Sequence, residues 1–143
     1  MQISKLCLTL KASLFVGLLS LMVLANPMAA RAELPELSVM GGEKMLGDEN
    51  APVTMIEYSS LTCPHCAAFH KDTLPSLIKK YVETGKVKII YRDFPFDRPG
   101  AQGAMLARCV APDHYFKMLG ILFDQQEKWT RTQNPAEALR AYG

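Results

Sequence analysis

Cys63 and Cys66 enclose a Pro-His dipeptide at the point where β-branched and aromatic residues give way to helical spacing. A thiol at a helix start faces unpaired backbone N–H groups and the positive end of the helix dipole. Both favour the thiolate, which lowers the pKa and makes the sulfur a nucleophile. Pro64 fits the first helical position, where the N–H it lacks would have had no partner. Cys63 is therefore expected at the cap, exposed, accepting bonds from the N–H groups of His65 and Cys66. Cys66 is expected one turn inside, shielded, where it can resolve a mixed disulfide formed at Cys63. A protonated His65 adds a second positive charge. Stabilising the reduced form makes the disulfide a stronger oxidant, so the pattern points to oxidation of substrates.

Other uses of a CxxC are weaker here. Half a zinc site completed by His65, His70 or the Cys109/His114 pair lacks a second CxxC or an HxxxH. Haem attachment requires His after the second cysteine, and Ala67 stands there. A permanent structural bridge closing so short a loop gains little chain entropy. Neither metal nor cofactor is expected. Glu57, six residues before Cys63 and near the end of an apolar strand, is the second chemical candidate. Half-buried beneath the CxxC, it could accept the proton of Cys66; equally, it could be an exposed strand-end acid. His70 and His114 read as surface or helix-end residues, Lys79-Lys80 as a solvated face, and the Tyr115–Phe123 apolar spacing as core packing.

The elements that must position this site follow from the flanking residues. Val53–Tyr58 reads as a buried strand and Lys86–Arg92 as a second one. A helix from Cys63 lies between them, kinked or split by Pro75 and stopped at Gly85. Strand, helix, strand makes a βαβ unit with parallel strands. Residues 33–50 read as a polar extension and turn. Beyond Asp97 the pattern is helical: Ala101–Val110, then a helix from Pro112 towards Glu127, then one capped by Asn134 with Pro135 and Glu137.

The totals pool two unlike pieces. The 143 residues carry a formal net charge of +2 and are 49% hydrophobic, which excludes a disordered or low-complexity chain. Residues 1–32 contain Lys5, Lys11 and Arg31, no acid, a 14-residue apolar run Ala12–Ala25 and an Ala30-Arg-Ala32 end. That is the layout of a secretory signal peptide cleaved after Ala32; the apolar run is shorter than the roughly 20 residues of a spanning helix. Residues 33–143 then carry 13 basic and 14 acidic side chains, a net −1, which offers nothing to nucleic acid. Their cysteines are Cys63, Cys66 and Cys109, an odd number for an exported protein.

The run Glu57-Tyr-Ser-Ser-Leu-Thr-Cys-Pro-His-Cys-Ala-Ala-Phe-His70 resembles the DsbA family of thiol:disulfide oxidoreductases. So do Tyr81–Val87, Tyr91–Phe96, Met105–Cys109 and Gln125–Trp129. The resemblance implies an α/β, thioredoxin-like fold with a helical insertion, Cys63 as nucleophile, Cys66 as resolving cysteine and Glu57 as the buried acid. It implies periplasmic disulfide transfer to unfolded or reduced secreted proteins, and a membrane redox partner that reoxidises the dithiol. The expected organisation is a leader at 1–32, an extension at 33–52, the first part of a thioredoxin-like domain at 53–97 and part of a helical insertion at 98–143. The family continues with a cis-Pro loop, further strands and a final helix that have no counterpart here, so a C-terminally truncated chain is expected. Cys109 resembles a cysteine that pairs further downstream in related sequences. The alternatives are an inactive remnant or partner-dependent fragment, or a reductase or isomerase using the same dithiol.

Overall fold

The computed structural model describes residues 34–143. The leader expected at 1–32 lies outside them. The described chain is built on a sheet of three strands, β1 (Lys44–Leu46), β2 (Val53–Ser59) and β3 (Val87–Asp93), in the order β1-β3-β2. β2 and β3 are parallel, as expected of a βαβ unit. The third strand corrects the reading of residues 33–50 as extension and turn. They contain a short helix, α1 (Leu37–Gly41), and β1, which pairs antiparallel with β3. At three residues β1 is too short to show an alternation in sequence, and its partner is supplied only by the fold.

β2 also departs from the buried strand that its composition predicts. It lies at the sheet edge, with Ile56 and Tyr58 45% and 58% exposed. The opposite face carries Glu57. Glu57 is in register with Tyr91, and Tyr91 with Lys44. Directly paired residues share a face, so these three side chains stand side by side under the helices.

The crossover from β2 to β3 begins as α2 (Pro64–Ala68), widens into a π-type turn (Phe69–Thr73), continues as α3 (Leu74–Leu77) and widens again (Ile78–Val82). The first widening stands just ahead of Pro75, with the Leu74 N–H bonded to Phe69 O. A proline lacks the donor and crowds the carbonyl four residues back, and a widened turn accommodates both. Gly85, at φ 69°, ends the crossover in the left-handed region that glycine adopts without a Cβ penalty.

The rest is helical: α4 (Arg98–Cys109), a 3₁₀ turn (Pro112–His114), α5 (Tyr115–Asp124), α6 (Gln126–Thr130) and α7 (Pro135–Leu139). Asp97 caps α4 by accepting the Gly100 N–H at 2.7 Å. Asn134 caps α7 through the Glu137 N–H, as its sequence predicts. The helix expected to run on towards Glu127 breaks at Gln125 between α5 and α6. Tyr115, Leu119, Leu122 and Phe123 fill the core with Trp129, Leu61 and Tyr91. Trp129 is fully buried and its indole N–H donates to Leu122 O at 2.9 Å. Among the described residues no helix is long and apolar enough to cross a membrane.

Candidate active site

Cys63 is the N-cap of α2, with extended backbone at φ −78°, ψ 119° and Pro64 in the first turn. Its sulfur accepts the Cys66 backbone N–H at 3.3 Å. The loop before it is wound tightly. The Cys63 N–H bonds to Ser60 O at 3.0 Å, and the Ser60 and Thr62 hydroxyls lie 3.0 Å apart. Pro64 and His65 are exposed at the helix start, Cys63 and Cys66 half-buried, and both cysteines are free thiols.

The two thiols differ in their surroundings. Burial alone would raise the Cys63 pKa, but the Cys66 thiol and the backbone N–H groups of Cys66 and His65 face its sulfur and together bring it below the ordinary thiol value. Burial pushes the Cys66 thiol up, only partly offset by the Ser59 hydroxyl and Ser60 backbone that face it. Ser59 Oγ is buried without a hydrogen-bond partner. The geometry separates an acidic outer thiol from a neutral inner one.

Glu57 is not the exposed strand-end acid of the alternative reading. Its side chain is 11% exposed and its Oε1 lies 2.8 Å from His70 Nε2. His70, read from sequence as a surface or helix-end residue, is 8% exposed. It stacks on Phe123 at 4.0 Å between ring centroids and meets Tyr91 edge-on at 6.0 Å. His70 follows Cys66 by four residues, so it falls on the same inward face of the crossover. His114, by contrast, is 63% exposed, as expected.

Gln126 lies in a run that carries the family resemblance, but the sequence assigns it no role. Buried in α6, its amide donates to Leu61 O at 2.8 Å and to Cys63 O at 2.9 Å, fixing the loop that carries Cys63. Only its three-residue offset from the buried Trp129 hints at an inward face. Gly100 lies against the same loop; a Cβ there would come within 3.0 Å of Ser60 Oγ and 3.2 Å of Thr62 Oγ1. Cys109 stands apart as a half-buried free thiol at the end of α4. Among the described residues no three His, Cys, Asp or Glu side chains converge as a metal site requires.

The family model described as Thioredoxin matches residues 40–142. A Rickettsia conorii protein, named as a candidate protein-disulfide oxidoreductase, is 35% identical over 119 residues, which are 82% of this chain and 43% of that one. Disulfide bond formation protein D of Bacillus subtilis is 32% identical over 89 residues, 59% of this chain and 40% of its own. The crystal structure of Wolbachia pipientis alpha-DsbA1 superposes with a TM-score of 0.65 at 37% identity, covering 76% of this chain and 54% of its own in the T172V variant. The chain thus spans about half or less of the length of these relatives. The βαβ frame, the capped helix that carries the CxxC and the family match agree: the chain belongs to the thioredoxin family, and within it is similar to DsbA-like thiol:disulfide oxidoreductases.

Proposed function

We propose that this chain is an exported thiol:disulfide oxidoreductase that donates or exchanges disulfides with secreted proteins through Cys63-Pro-His-Cys66. The observation that carries the reading is the Cys66 N–H held 3.3 Å from the Cys63 sulfur at the cap of α2. In the oxidised form a substrate thiolate attacks Cys63 Sγ, the Cys63–Cys66 bond breaks, and Cys66 leaves and takes up a proton. A second substrate thiolate then attacks the substrate sulfur of the mixed disulfide and expels Cys63 as a thiolate. The substrate loses two electrons and the Cys63–Cys66 pair gains them. Pro64 pre-sets the first helical turn, a protonated His65 adds positive charge beside the leaving thiolate, and Glu57 exchanges the Cys66 proton. A membrane redox partner restores the disulfide. The basic, apolar and A-x-A layout of residues 1–32 supports export to the periplasm.

The test is oxidation of a reduced, unfolded protein by the oxidised chain. Wild type is expected to form substrate disulfides at a rate well above that of Cys63→Ser. Equal rates would remove the activity from this chain.

A further inference from the structure

The Glu57–His70 pair lies behind the dithiol, and nothing in the exchange steps above uses His70. We propose that His70 is a positioning residue for the dithiol: it holds Glu57 behind Cys66 and sets, through its own protonation, how readily that carboxylate takes the Cys66 proton. The inference rests on the oxidoreductase reading above.

Two facing ladders place the pair. On β2, Ser59 and Glu57 are two residues apart and share one face. On the crossover, Cys66 and His70 are four apart and face the same way. Ser59 faces Cys66 and Glu57 meets His70. The carboxylate therefore lies one step along the strand from the sulfur that must gain and lose a proton.

His70 is held rigidly. Phe123 stacks on one face of its ring and Tyr91 meets it edge-on. A carboxylate is only an acceptor, so Nε2 carries the hydrogen at the 2.8 Å contact. This occupies Oε1 and leaves Oε2 as the oxygen free to exchange a proton. It also leaves Nδ1 as the nitrogen that protonates. A cavity of about 170 Å³, lined by His70, Ala67, Lys71, Gly120, Phe123 and Asp124, lies beside the ring. The charged and titratable groups facing His70 are Glu57 from β2, Tyr91 from β3, Asp124 from α5 and Lys71 on its own element. Lys71 and Asp124 pair at 3.6 Å, and burial holds Tyr91 as a neutral phenol. Glu57 is the partner with which the imidazole exchanges influence. A protonated His70 favours the carboxylate and makes it a poorer base; a neutral His70 leaves it a better one.

The step that reads this is resolution of a mixed disulfide. With glutathione on Cys63, the Cys66 sulfur attacks Cys63 Sγ, the Cys63–glutathione bond breaks, and the Cys63–Cys66 bond forms. Cys66 is oxidised and glutathione is reduced. The Cys66 proton goes to Glu57, and the departing glutathione thiolate takes one from solvent.

Glutathione release would be followed against pH in wild type, His70→Gln and His70→Ala. Wild type is expected to show an inflection that depends on His70. His70→Gln, which can still donate to Glu57, should keep the rate at neutral pH and lose the inflection. His70→Ala should be slower by roughly tenfold, below the 10²–10⁴ of a directly acting base. Superimposable wild-type and His70→Gln profiles overturn the role of His70 alone. A wild type releasing no more glutathione than Cys66→Ser overturns the oxidoreductase reading with it. If the variants do not fold, the His70 NMR titration of the wild-type chain decides. Coupling to the dithiol is reciprocal, so its midpoint must differ between disulfide and dithiol forms; identical midpoints overturn the proposal.

Discussion

The hydrogen bonds of its neighbours lower the pKa of Cys63, and this ties folding to pH. Its pKa in the fold is lowered from the ordinary thiol value. A depressed pKa contributes stability that is fully present above the unfolded value and is lost as pH falls through the folded one. Serine caps a helix as well as cysteine does, so Cys63→Ser removes the titration and keeps the cap. In urea denaturation of the reduced chains, the stability advantage of wild type over Cys63→Ser should grow with pH up to about 8.5. A difference independent of pH would contradict a depressed Cys63. The placement of Cys63 at a helix cap is readable in sequence because every requirement is local: a strand, a cap position, a proline at the first turn. The pairing of Glu57 with His70 is not, because 13 residues and the strand-to-helix turn separate them.

Two elements converge on the loop between β2 and α2. α6 supplies Gln126, whose one amide group satisfies two loop carbonyls. α4 presents Gly100 and Gly103 where bulk is excluded; a Cβ on Gly103 would come within 3.0 Å of Leu61 Cδ1. Gln126→Ala leaves buried acceptors without donors, which costs about 1–3 kcal/mol. The loop carrying Cys63 then loses its tie to the helical part. The expected outcome is a lower urea midpoint at unchanged m-value, with faster exchange of the loop amides around Thr62 and Cys63. An unchanged midpoint would show that α6 does not hold the loop. The Asn134 cap places α7 because it is a local signal, whereas periodicity starts α4 at Ala101, three residues after its Asp97-capped start at Arg98. It missed β1, whose three residues are a strand only because β3 lies beside them, and it ran α5 past the break at Gln125.

At the scale of the molecule, three layers act on one sulfur. The sheet sets the Lys44-Tyr91-Glu57 row, the crossover lays Cys66 and His70 over its neighbours, and α5 and α6 close the far side through Phe123 and Gln126. Sequence composition overstated the burial of β2, because an apolar strand reads the same at an edge as at a centre. The described residues contain three free thiols, Cys63, Cys66 and Cys109, and the fold ranks them. The direct measurement is alkylation of the reduced chain as a function of pH, with each modified cysteine located by mass spectrometry. Cys63 is expected to react first, with a midpoint below the free-thiol value of about 8.5, and Cys66 to follow only at higher pH. Reaction beginning at Cys66 or Cys109, or a Cys63 midpoint at or above that value, would contradict this expectation.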